Sequence, residues 1–101
     1  MNRTFANFHD FYRFYLSEHQ HPVSRRLHFA GTTLVLIILI AAIVTGSWQL
    51  LWLLPIAGYG CAWIGHFFFE KNRPATFRHP FYSLLGDFVM FRDILRGRIE
   101  F

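Results

Sequence analysis

Residues 29–69 read FAGTTLVLIILIAAIVTGSWQLLWLLPIAGYGCAWIGHFFF, with no Asp, Glu, Lys or Arg among them. All ten Lys and Arg lie at or before Arg26, or at or after Lys71. An uncharged block of this length suits two membrane-spanning helices, since about 20 apolar residues cross roughly 30 Å of hydrocarbon. As soluble core it would need a large covering partner, and a chain of 101 residues has little surface with which to bury it. Thr45, Gly46 and Ser47 supply a turn inside the block. The block therefore predicts a helical hairpin, one arm from about Arg25 to Val44 and the other from about Trp48 to Phe69, kinked at Pro55.

The flanks orient the hairpin. Arg25 and Arg26 precede it and Lys71, Arg73 and Arg78 follow it, whereas the turn is uncharged, so the positive-inside rule puts both termini in the cytoplasm. Trp48 and Trp52 belong at the far interface and Trp63 nearer the other. The composition agrees: 53% hydrophobic and 20% aromatic residues accompany only 16% charged ones, against about 25% in ordinary soluble domains. The net charge of +4 flanks a membrane segment and forms no separate basic domain, so anionic lipid headgroups are the expected partner, and nucleic acid is not. An aromatic, polar segment comes first instead of a basic start and apolar run, so no cleavable signal peptide is expected.

Small residues Ala57, Cys61 and Gly65 recur every four positions on the second arm, opposite Gly31, Ala41 and Ala42 on the first, a pattern that lets helix backbones approach closely. The lone Cys61 reads as a packing residue on that face. Such faces also admit a homodimer. Before the hairpin, Phe5, Phe8, Tyr12 and Tyr15 recur at helical spacing, predicting an interfacial helix capped by Thr4 and ended near Glu18 to Gln20 by Pro22. After Pro80, a third apolar helix is predicted over about Phe81 to Leu95, interrupted by Gly86 and Asp87, as a partial, re-entrant or third span. The expected fold is all-α, one domain over residues 1–101.

The histidines carry the chemistry. His28 lies 18 residues before Gly46 and His66 lies 20 after it, so both stand roughly 27 to 30 Å from the hairpin tip. Two imidazoles distant in sequence are thus level at one membrane edge. His19, beyond Pro22, and His79, beyond Pro74, sit on connectors that can fold back over the same edge. Four imidazoles could converge there, and neutral imidazole suits iron, zinc, copper or nickel. His9 and His21 read as interfacial histidines bonded to headgroups, water or backbone. Glu70 and Asp87 are the nearest acids and could each accept the second N–H of a ligating imidazole, the alternative being ion pairs to Arg73, Arg78 or Arg92. Asn72 joins them as a candidate to orient a ligand; like Thr76 it could equally cap a loop.

Two stretches, YLSEHQHPVSRRLHFAGT at 15–32 and GHFFFEKNRPATFRHPFYSLLGDFVMF at 65–91, resemble the Mpo1-like family. The likeness runs from Phe8 to about Gly97. Characterised relatives are iron(II)-dependent dioxygenases of the endoplasmic reticulum membrane that shorten 2-hydroxy fatty acids by one carbon. The resemblance implies the same reaction here, with Fe(II) as cofactor, a fatty acyl 2-hydroxy acid and O2 as substrates, and metal ligands at His19, His28, His66 and His79. Arg25, Arg26, Arg73 or Arg78 could guide the substrate carboxylate, or hold lipid phosphates. The chain is shorter than the eukaryotic members and shows no endoplasmic-reticulum retention signal, from which a bacterial inner-membrane location is expected. Two other readings fit the residues alone: a zinc or bis-histidine haem centre, and a membrane scaffold without a metal.

Overall fold

In the computed structural model, residues 5–101 are described, and they are helical with no strand among them. The first helix, α1, covers Phe8–Ser17, and the side chain of Asn7 caps it by accepting the Asp10 N–H at 2.9 Å. The expected cap, Thr4, lies outside the described residues. α1 ends at Ser17, followed by Glu18, close to the limit that Pro22 imposes. Its fully buried residues are Phe11 and Tyr15, with Phe8 and Tyr12 only partly covered. The buried face is rotated from the expected stripe because α1 packs on another helix, where Phe11, Tyr15 and Met90 form a core cluster.

α2 runs Pro22–Thr45, with Pro22 at its first position, where the missing N–H costs nothing, and the His21 ring accepting the Val23 N–H at 3.1 Å. It stops at Gly46, whose φ of 70° is the left-handed conformation that ends many helices. A 3-10 turn over Trp48–Trp52 leads into α3, Leu53–Ile64, which continues as a π-helical turn over Gly65–Glu70. Pro55 lies in the first turn of α3, so a change of helix type just before it takes the place of the expected mid-helix kink.

The two arms, Pro22–Thr45 and Trp48–Glu70, are each long and apolar enough to cross a membrane, and only 22% and 17% of their most apolar windows are buried within the protein. The core helix of a soluble protein would be mostly covered. The arms meet along the small-residue seam. A Cβ on Gly31 would come within 3.0 Å of the Cys61 Cβ and 3.4 Å of the Ala57 and Gly58 carbonyls. A Cβ on Gly65 would lie 2.8 Å from the Ser24 Oγ. Bare backbone at these positions brings the arms together at the level of His28 and His66.

The last helix, α4, covers Pro80–Leu95 without a break. Gly86 and Asp87 do not interrupt it, contrary to the sequence expectation. Gly86 is a seat: a Cβ there would stand 2.9 Å from the Tyr15 ring, so only glycine lets α1 close on α4. One face of α4 buries Ser83, Gly86, Met90 and Asp93, and the other exposes Phe81, Leu84, Leu85, Phe88 and Leu95. Its 16 residues rise about 24 Å, short of a full hydrocarbon crossing.

Candidate metal centre

His28 on α2 and His66 on the π-helical turn face each other across the hairpin, ring centres 5.0 Å apart. His19 follows α1 and closes over both, at 4.3 Å from His28 and 4.5 Å from His66. All three are buried, and one ligand nitrogen from each lies within 4.8 Å of the others. A π-helical turn shifts the helix phase, and such turns recur at functional sites. Here it also lets the Asn72 N–H close on the His66 carbonyl at 3.1 Å, carrying Asn72 back under the ring.

The hydrogen bonds fix the tautomers. His19 Nδ1 lies 2.6 Å from the Tyr15 carbonyl, His28 Nδ1 lies 3.0 Å from the Ser24 carbonyl, and His66 Nδ1 lies 2.6 Å from Asn72 Oδ1. A carbonyl oxygen only accepts, so each Nδ1 carries the hydrogen. The Asn72 amide is itself oriented, because its Nδ2 donates to the Glu18 carbonyl at 3.1 Å. Each neutral ring is left with a bare Nε2, and those of His19 and His28 are 3.0 Å apart. Two lone pairs at that distance repel unless a proton or a cation lies between them. Burial, followed by the charges of His28 and His66, pushes the His19 imidazole well below its ordinary value, which disfavours the proton. Three inward-facing neutral imidazole nitrogens, each with its other nitrogen hydrogen-bonded, are a donor set for a transition metal.

Two cavities adjoin the histidines. The smaller, about 20 Å³, is lined by His19, His28 and His66 together with Tyr15, Ser83 and Asp87. The larger, about 340 Å³, begins at His28 and Asp87 and continues between the arms past Thr32, Val35 and Gly58 to Leu39 and Leu54. Asp87 borders both. Burial raises its carboxyl to about 6, opposed by the hydrogen bond that the Tyr15 hydroxyl donates to it. The Tyr15 ring in turn stacks on His19, centre to centre 4.0 Å.

Of the four histidines expected as ligands, the structure gathers three. His79 stands at the start of α4 with its ring against Phe5 and Phe11, 5.2 and 5.4 Å away, and is not part of the cluster. Asn72 accepts from His66 Nδ1 at 2.6 Å. Glu70 bonds no imidazole: it accepts the His21 backbone N–H at 2.9 Å, tying the end of the second arm to the connector that carries His19. Asp87 likewise touches no ring nitrogen and is held by Tyr15. Arg25 donates to the carbonyls of His19, Gln20 and Glu100. Arg26 lies over the Phe101 ring at 5.4 Å, and Arg73 and Arg78 are on the exposed side of the loop before α4. None of the four arginines lines either cavity. Thr76 borders the smaller one. Sequence reasoning missed Tyr15 as a support for His19 and Ser83 as a wall of the site; a register of α1 anchored on Phe11 would have pointed to the first.

The architecture defines a class: a small helical protein in which an apolar hairpin and the connector before it converge three buried histidines on a site that could hold a metal ion. The chain belongs to the Mpo1-like family, whose model, described as 2-hydroxy-palmitic acid dioxygenase Mpo1-like, matches residues 5–99. No curated protein and no solved structure matches it.

Proposed function

We propose that this protein is a membrane-embedded, iron(II)-dependent dioxygenase that shortens 2-hydroxy fatty acids by one carbon. The overall change is a 2-hydroxy acid plus O2 giving the acid one carbon shorter, CO2 and water. The observation that carries this reading is the cluster of three buried imidazoles beside a 340 Å³ apolar cavity that begins at one of them, His28. A metal site alone would not need the cavity, and a lipid cavity alone would not need unprotonated imidazoles facing one another.

His19, His28 and His66 would hold the iron, which when bound supplies the redox chemistry that lets O2 react at C2. The Tyr15 and Ser24 carbonyls and Asn72 keep the three rings in the ligating tautomer. The cavity between the arms takes the acyl chain and keeps water from it, since Val35, Leu39 and Leu54 line its far part. The exposed apolar faces of both arms support insertion in a bilayer, and the basic residues near the histidine end support a cytoplasmic site.

A three-histidine set also suits catalytic zinc, so metal content is the first discriminator. A haem is disfavoured by size, as a cavity of about 20 Å³ among the rings leaves no room for a macrocycle. The test is anaerobic purification with Fe(II), then 2-hydroxypalmitic acid and O2, with mass-spectrometric search for the acid one carbon shorter. Stoichiometric zinc that iron does not replace, or no product at any chain length, overturns the proposal.

A further inference from the structure

Among the described residues, two buried hydroxyls, Ser24 Oγ and Ser83 Oγ, have no hydrogen-bond partner, and an unpaired buried polar group calls for an explanation. Ser24 lies against Gly65 in the hairpin seam and lines neither cavity, so close packing accounts for it. Ser83 is different. It is 4% exposed and forms part of the wall of the small cavity that holds the three histidines. A helical serine commonly satisfies itself on the carbonyl one turn earlier; Ser83 does not, although its backbone N–H bonds the His79 carbonyl at 2.8 Å.

One turn further along α4 is Asp87, on the same face, bordering both the histidine cavity and the apolar one. α4 thus presents a hydroxyl and a carboxyl group side by side, where the place for an ion meets the place for a chain. We propose that Ser83 and Asp87 recognise the polar head of the substrate: Ser83 donates to its carboxylate, and Asp87 accepts from its 2-hydroxyl. This inference rests on the reading of the site as one for 2-hydroxy acids. It explains how the site separates such an acid from the unsubstituted fatty acids that abound in any membrane. A site built to bond a hydroxyl leaves its own buried group unmatched when the hydroxyl is missing, and so discriminates strongly.

The test is equilibrium binding to the full-length, Fe(II)-loaded protein in nanodiscs without O2, so that no turnover occurs. Intrinsic tryptophan fluorescence, to which Trp63 at the border of the small cavity contributes, serves as the signal. Wild type is expected to bind 2-hydroxypalmitic acid more tightly than palmitic acid. Ser83→Ala should weaken both by about tenfold with iron content unchanged. Asp87→Ala should abolish the preference between them. Wild-type binding of both acids by Ser83→Ala overturns the proposal, as does an undiminished preference in Asp87→Ala. If Asp87→Ala does not retain iron, Ser83→Ala, which removes one oxygen, decides alone. A wild type that binds neither acid overturns the functional reading as well. Turnover by wild type with unaltered binding in Ser83→Ala overturns only the recognition pair.

Discussion

Asn72 accepts the Nδ1 hydrogen of His66 at 2.6 Å, while its own amide nitrogen donates to the Glu18 carbonyl at 3.1 Å. One side chain therefore fixes the tautomer of an imidazole on the second arm and ties that ring to the end of α1. Asn72→Ala removes both contacts. Metal affinity is expected to fall about 10- to 100-fold, the usual effect of losing a partner behind a ligand, as measured by chelator competition.

His79 packs against Phe5 and Phe11 and stands apart from the other three histidines. His79→Ala is accordingly expected to keep the full metal complement, whereas alanine at His19, His28 or His66 should lower metal affinity by well over tenfold. Metal analysis after dialysis distinguishes a three-histidine centre from a four-histidine one.

Asp87 makes stability depend on pH. Its folded value is about 6 against 3.8 for the free carboxyl. Between those values the folded chain holds a proton that the unfolded chain has released. The contribution of Asp87 is therefore fully present below 3.8 and is lost as pH rises through 6. The loss is about 3 kcal/mol from a shift of roughly two units. Asp87→Asn carries no charge to bury, so its thermal midpoint without metal should exceed wild type near pH ~7 and converge with it near pH ~4.

A Cβ on Gly65 would fall 2.8 Å from Ser24 Oγ and 3.1 Å from Ser24 Cα, so backbone must move to admit it. Gly65→Ala should cost about 1–3 kcal/mol, as overpacking does. Because the Ser24 carbonyl is the acceptor for His28, metal affinity should drop with it. Thermal unfolding in detergent and metal content together report both effects.

Leu39 lies 11 residues beyond His28 on α2, about 16 Å further toward the hairpin tip, and lines the apolar cavity. Leu39→Trp shortens the room for an acyl chain. Chains of full length should lose kcat/KM by tenfold or more relative to short ones, since each misfit methylene is worth about that much. Competition between 2-hydroxy acids of different length measures the shift.

Much of this was legible in the sequence. The uncharged block fixes the hairpin, and counting from Gly46 sets His28 and His66 at one depth, which the 5.0 Å ring separation matches. The connector does fold back, bringing the His19 ring to 4.3 Å from that of His28. The same reasoning failed for His79 because depth fixes a level and leaves direction open; the start of α4 turns that ring toward α1. The π-helical turn has no signature in residue types, as its Gly-His-Phe-Phe-Phe-Glu run would serve an ordinary helix equally well. Gly86 read as a weakness of α4 because a glycine that admits a foreign ring looks no different from one that ends a helix.

The Tyr15 ring resting on Gly86 also makes the site depend on both ends of the chain. His28 and His66 can pair as soon as both arms have left the ribosome. His19 is made before either, yet it is steadied through Tyr15 by a helix that is made last. The first of the three histidines in the chain thus leans on the last of its helices, and the two ends of the sequence meet at the site.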